Sequence, residues 1–181
     1  IDGTNNFVAG FDNFAVCIGL LVGGEPKLGA VYDVTRGRMY SAAAGKGAHL
    51  DGRKLKVLQT PLNPSTILML TSHLLDPEGK LRPYLLRWFS QTEWKIRIQG
   101  SAALEAIQVA AGIAHGAVTL HGKLWDLAAP AAIVLEAGGL ITALEGRPIF
   151  PFDLAHYDGA KVPFLAAAPA AQAELLREIA T

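Results

Sequence analysis

The stretch Phe14-Ala15-Val16-Cys17-Ile18-Gly19-Leu20-Leu21-Val22 decides how this chain is read. It is apolar on both alternating faces, rich in β-branched residues and too short for a surface helix, so it predicts a strand. Downstream, Gly23-Gly24-Glu25-Pro26 supplies a turn, Leu28 to Val34 a second strand, Thr35-Arg36-Gly37-Arg38 another turn and Met39 to Ala43 a third strand. Gly45-Lys46-Gly47 and Asp51-Gly52 extend this antiparallel meander, because Asp-Gly readily takes the positive φ of a tight hairpin. Lys54 to Gln59 is expected to be its last strand.

Pro61 and Asn63-Pro64 mark a seam, since proline removes a backbone donor and pushes its predecessor out of the α region. Residues 1–60 therefore read as one unit, a sheet region with an N-terminal loop, and 61–181 as an αβ-layered C-terminal unit. The second unit alternates: strand Ile67 to Thr71, helix Glu78 to Phe89, strand Lys95 to Ile98, helix Ala102 to Gly112, strand Ala117 to Leu120. A helix from Ala128 to Ala137 follows, closed by Gly138-Gly139. Strands Leu140 to Ala143 and Phe164 to Ala167 and a helix from Ala171 to Ala180 complete an α+β chain.

The composition narrows the function. The chain has 181 residues, 51% hydrophobic, with 16 Lys+Arg balancing 16 Asp+Glu. Such a chain buries a sizeable core, and its zero formal charge offers no broad basic face for nucleic acid. Cys17 is the single cysteine, which excludes an intrachain disulfide and a thiolate metal cluster and suits a reducing, cytoplasmic setting. Every apolar stretch is interrupted before the ~18 residues of a membrane span. The chain lacks an initial methionine and opens on a turn, Ile1-Asp2-Gly3-Thr4, which suggests an N-terminal truncation.

Three places could carry chemistry. Ile1-Asp2-Gly3-Thr4-Asn5-Asn6-Phe7 sets a carboxylate, a glycine and a hydroxyl where a helical turn begins. Free N–H groups there attract an anion while Asp2 holds a bridging cation; equally, Asp and Thr are ordinary cap and turn residues. Asp126, in Leu124-Trp125-Asp126-Leu127-Ala128-Ala129-Pro130, reads as a ligand or as the N-cap of a helix whose first turn contains Pro130. Ser101, in Gly100-Ser101-Ala102-Ala103, reads as an N-cap or as part of a loop a ligand can approach closely. The five histidines show no paired ligand spacing, although His121, five residues before Asp126, is a candidate to contact a leaving group. Lys46 reads as a solvated turn residue, Trp125 as a core anchor and Cys17 as a buried strand residue.

The ordered combination of IDGTNNF (1–7), GSAALE (100–105) with VAAG (109–112), and WDLAA (125–129) with EAGG (136–139) resembles the inositol monophosphatase family of metal-dependent phosphatases. MYSAAAGKGAHLDG (39–52) resembles that family's middle hairpins. The resemblance implies a layered αβαβα sandwich of the inositol monophosphatase/fructose-1,6-bisphosphatase type lacking its N-terminal part. It implies Mg²⁺ bound by Asp2 and Asp126, a further metal bound by the Ile1 carbonyl, phosphate held by Gly3 and Thr4, and a Thr4 hydroxyl that orients the attacking water. Gly100, Ser101 and Ala102 would line the leaving-group side. It further implies a small phosphorylated substrate, a homodimer, and no nucleic-acid or membrane partner.

The departures are as informative. The family's motif begins with a further aspartate upstream of Ile1, and its activating glutamate also lies upstream, so this chain is expected to be weakly active by itself. Seven residues before Asp126, where inositol-selective members carry a glutamate, stands Thr119. That position keeps inositol monophosphate, other sugar or polyol phosphates, nucleotide 3′-phosphates and histidinol phosphate all open as substrates. A non-catalytic module that binds phosphorylated ligands is the rival from another class.

Overall fold

The computed structural model describes residues 1–76 and 78–181. A short helix α1 (Thr4–Ala9) leads into strands β1 (Ala15–Val22), β2 (Glu25–Asp33), β3 (Arg38–Ala43), β4 (Gly47–Leu50) and β5 (Arg53–Lys54), which pair antiparallel in sequence order. Period-two alternation sends Val16, Ile18, Leu20 and Val22 to the outer face of β1, where Ile18 is 65% exposed. Ala15 and Val31 face inward and are fully buried.

The second sheet is mixed. Strands β6 (Ile67–Leu70), β7 (Lys95–Ile98), β8 (Gly116–Thr119), β9 (Leu140–Thr142) and β10 (Phe164–Ala167) lie in the order β7-β6-β8-β10-β9. β6 runs parallel to β7 and β8, and β10 antiparallel to β8 and β9. Between the sheets pack α3 (Ala102–Ala110) and α4 (Leu124–Glu136); α2 (Pro83–Gln91) and α5 (Pro169–Ala180) cover the far side of the second sheet. Successive residues of β6 divide accordingly: Met69 joins the core of α3 and α4, while Leu68 and Leu70 join Tyr84, Trp88 and Leu175. Each fully buried large side chain among these contributes about 1.5–3 kcal/mol of hydrophobic stabilisation. Among the described residues the layers are thus β-α-β-α, the expected sandwich without an outer helical layer on the first sheet.

How deep α4 sits is decided by two glycines. Gly19 and Gly29 are directly paired across β1 and β2. A Cβ at Gly29 would lie 2.2 Å from the Ala129 carbonyl oxygen, and one at Gly19 2.7 Å from the Ala129 nitrogen. Only hydrogen at both positions lets the helix backbone lie on the sheet. Gly45 and Gly47 donate to the two carboxylate oxygens of Glu136 at 2.8 and 2.7 Å, which fastens the β3–β4 turn to the other end of α4.

Several boundaries differ from expectation. Residues 55–59 leave the sheet: Leu55 N–H still reaches the Ala48 carbonyl at 2.8 Å, but Val57 N–H donates to Ala137 at the end of α4. The helix expected from Glu78 begins at Pro83, whose fixed φ and missing donor suit a first position, while Asp76 accepts from Lys80 in the preceding turn. The helix expected from Ala128 begins at Leu124, so Pro130 lies inside it and Asp126 is its third residue, not its cap. Burial of Leu124 and Leu127 extends this helix backwards and outweighs the ~3 kcal/mol that an interior proline costs. Trp125 is 62% exposed, because it lies two positions from Leu127 and therefore on the opposite helix face.

Candidate active site

Asp2 reaches the site from a bridge rather than from a helix. Its N–H and C=O both pair with Ala15 at 2.9 Å, which hangs the residue on the first strand. One carboxylate oxygen, Oδ2, accepts from the Ser101 hydroxyl and, at 2.9 Å, from the Ala103 N–H. Ser101 is fully buried and also caps α3 by accepting from Leu104 N–H. Asp126 is held in the same manner: its Oδ2 accepts from the Lys123 N–H at 2.9 Å across the first turn of α4. Among the described residues, no donor bonds the second oxygen of either carboxylate. Each aspartate spends one oxygen on its own placement and keeps one for a ligand.

Gly3 has φ 81° and precedes α1, where the first helical bond runs from Phe7 N–H to the Gly3 carbonyl at 3.0 Å. The N–H groups of Thr4, Asn5 and Asn6 therefore precede that bond, as at any helix start. The Thr4 hydroxyl lies 3.5 Å from the Ile1 carbonyl oxygen. A Cβ on Gly3 would lie 2.9 Å from the Asn13 carbonyl oxygen, so the turn has room only for glycine.

These groups share one cavity of about 300 Å³. Ile1, Asp2, Gly3, Thr4, Gly100, Ala102, Thr119 and Asp126 all line it. Ser101 lies behind the lining and acts on Asp2 instead. Thr119 is 1% exposed and its Oγ1 finds no partner among the described residues. The Asp126 carboxyl is pushed above the usual carboxylate range, by burial first and by the Asp2 charge as well. Two partly desolvated carboxylates that repel one another, each with an unspent hard oxygen, make a donor set suited to a divalent cation. Among the described residues, no group of three or more His, Cys, Asp or Glu side chains could hold a metal, so this pair is what the chain brings. Mg²⁺ fits such a pair, because it retains waters and is commonly held by one or two carboxylates together with a substrate phosphate.

The sequence reading missed the frame around the site. Glu105, 1% exposed on α3, accepts from Gln99 and Gly100 N–H at 2.7 and 2.9 Å. Burial raises its carboxyl to about 8, with the Asp2 charge adding to the rise, so it is mostly protonated at neutral pH. The Asn6 side chain donates to Asn13 and Gln99 carbonyls at 2.7 and 2.8 Å and fills the space beside Gly100. Thr71, Ser72, His73, His121, Gly122 and Trp125 also line the cavity. Of these only His121 and Trp125 carried a sequence signal. Cys17 stays out of this chemistry, its thiol pushed up to about 12 by burial. No described helix is long and apolar enough to cross a membrane.

The model of the inositol monophosphatase family matches residues 1–180. An inositol-1-monophosphatase of Bacillus subtilis is 36% identical over 148 residues, which are 82% of this chain and 56% of that protein. A fructose-1,6-bisphosphatase/inositol-1-monophosphatase of Thermotoga maritima is 37% identical over 147 residues, 81% of this chain and 56% of its own length. A solved inositol monophosphatase structure from Thermotoga maritima superposes with a TM-score of 0.84 at 31% identity, covering 99% of this chain and 65% of that one. The chain thus spans a little over half the length of the curated relatives it matches.

Proposed function

This chain belongs to the inositol monophosphatase family, and on that premise we propose that its cavity serves the Mg²⁺-dependent hydrolysis of a small phosphomonoester, an inositol monophosphate or a related sugar or polyol phosphate. The observation that carries the reading is the pair of unspent oxygens on Asp2 and Asp126 beside the start of α1. In this reading those oxygens and the Ile1 carbonyl hold the metal. When bound, Mg²⁺ lowers the pKa of water and neutralises charge on the phosphate.

The chain's own residues supply position. The N–H groups that open α1 receive phosphate oxygens, and Gly3 leaves the backbone bare enough for them to approach. The Thr4 hydroxyl, beside the Ile1 carbonyl, orients the attacking water. Gly100, Ala102 and Thr119 receive the leaving group, with Thr119 Oγ1 free to bond a hydroxyl. Ser101 holds Asp2, and the Lys123 N–H holds Asp126. In-line displacement at phosphorus asks for little covalent help, so this positioning and charge neutralisation supply most of the acceleration. A homodimer in the cytoplasm completes the proposal.

The test is release of inorganic phosphate from inositol 1-phosphate and a panel of sugar phosphates, by the 181-residue chain and by any longer form its gene encodes. Release that requires Mg²⁺ and falls at least about 100-fold in Asp126→Asn supports the reading. Ligand binding with no release in either form, or an unaffected Asp126→Asn, favours a non-catalytic phospho-ligand module.

A further inference from the structure

At the end of α3 away from the aspartate pair, four cations surround a second cavity. Ser101 caps the first turn of α3 and holds Asp2. Ala111, just past the last residue of α3, lines a cavity of about 380 Å³. The nine residues of α3 put about 13 Å between those two ends. Among the described residues, the two cavities share no lining side chain. Arg38, Arg53, Lys54 and Lys56 line the second one, and no described Asp or Glu does. In a chain whose 16 Lys+Arg match its 16 Asp+Glu, that excess is local.

Strand register builds the arrangement. Tyr40 pairs with Leu50 and Leu50 with Arg53, and Arg38 lies two positions before Tyr40. Residues two apart share a face, so Arg38, Tyr40, Leu50 and Arg53 all lie on the side of the sheet that α3 covers. The chain after β5 closes in on the end of that helix: a Cβ on Gly112 would lie 2.8 Å from the Lys56 carbonyl oxygen. Among the described residues, none of the four cations pairs with a carboxylate. Asp51, in the adjoining β4–β5 turn, spends its Oδ1 on the Met39 N–H at 2.9 Å. Nor does α3 need the cations as caps. Its Ile107, Val109 and Gln108 carbonyls accept from Ala111, Gly112 and Ile113 N–H at 2.9, 3.1 and 3.0 Å.

We propose that this cavity binds the polyphosphate part of a small metabolite, at a site separate from the aspartate pair. Unneutralised like charges around a concave wall focus positive potential into it. Guanidinium forks match phosphate oxygens two at a time, and the lysines add point charge. Among the described residues, the one aromatic ring at this cavity is that of Tyr40, which is 3% exposed, so no face is open for a base to stack on. That favours a phosphate chain over a nucleic-acid strand, which is held by a charged groove together with stacking aromatics. The size of the cavity suits a small molecule. The inference does not depend on the phosphatase reading.

Calorimetric titration with inorganic tripolyphosphate tests this, in EDTA so that no divalent metal bridges the probe to Asp2 or Asp126. One saturable site per chain is expected, weakening with added salt. The double variant Arg38→Gln/Arg53→Gln should bind at least tenfold more weakly while keeping the parent melting temperature. Arg38→Lys/Arg53→Lys, which keeps the charge without the fork, should recover part of the affinity. Lys95→Gln/Arg97→Gln removes the same charge from β7 and should leave binding unchanged, as should Asp126→Asn. Adenosine should not bind; ATP that matches tripolyphosphate points to a free phosphate chain, and ATP that binds more tightly points to a nucleotide, either result upholding the site. No saturable binding, an unaffected Arg38→Gln/Arg53→Gln, an equal loss in the β7 pair, or a loss in Asp126→Asn overturns it. So does a ten-nucleotide RNA that binds more tightly than both probes and fails on the same double variant.

Discussion

Ser101 donates its hydroxyl to the carboxylate of Asp2, 99 positions earlier in the chain, and in the same place caps helix α3. One buried side chain therefore joins the N-terminal segment before α1 to the interior of the sandwich. Ser101→Ala removes both bonds and leaves Asp2 one donor, the Ala103 N–H. The variant is expected to lose about 1–2 kcal/mol in urea unfolding and to need severalfold more Mg²⁺ for half-maximal response, read by metal titration. A change in stability with unaltered metal response would show that the bond to Asp2 does not position it.

Glu105 is expected to make stability fall as pH rises. Its pKa in the folded state, about 8, exceeds the 4.5 of an unperturbed glutamate, so the folded form binds the proton more tightly. The contribution is therefore complete below about pH 4.5 and disappears as pH climbs through about 8. From the size of that shift it amounts to several kcal/mol, about 3–5, at its full extent. Glu105→Gln keeps the acceptor for Gln99 and Gly100 and cannot ionise. Urea titrations of both forms at pH 4 and pH 9 should agree at the lower pH and favour the variant at the higher one.

Asp126→Asn separates metal binding from fold. Asp126 has a raised pKa, so its charge costs stability once pH exceeds that value, and without Mg²⁺ at pH 7 the variant should melt at or above the parent temperature. Adding Mg²⁺ should raise the melting temperature of the parent and leave the variant unmoved. Asn can still accept from Lys123 N–H, which keeps the first turn of α4 intact. Equal stabilisation of both by Mg²⁺ would place the metal elsewhere.

Gly29→Ala should destabilise out of proportion to one methyl group. Its Cβ would meet the Ala129 carbonyl oxygen at 2.2 Å and Ala132 Cβ at 3.1 Å, and α4 must move off the sheet to admit it. A loss of about 3 kcal/mol is expected, measured by guanidinium unfolding. Phosphate release should fall as well, because displacing α4 shifts Asp126 away from Asp2. Gly10→Ala, where nothing lies within 4 Å of the added Cβ, serves as the strain-only comparison at positive φ.

Much of this molecule is legible from short-range patterns. The apolar alternation of residues 14–43, the Gly-rich turns and the Asn63-Pro64 break specified the meander and the change to alternating elements. Ser101 showed as a cap, and Asp2 and Asp126 stood out by the motifs around them. These signals need only a few neighbouring residues, since turns, caps and periodicity are local consequences of φ, ψ and side-chain direction.

What only the tertiary structure decided involves groups far apart in the chain. The start of α4 moved back past Pro130 because buried Leu124 and Leu127 reward the extra turn. Trp125 faces out for the same geometric reason. The bond from Ser101 to Asp2, the protonated Glu105 and the glycine pair beneath Ala129 all depend on burial and on separations no local window spans. Desolvation and Coulomb interaction act through space, so the chemistry of each group was set by the fold that surrounds it.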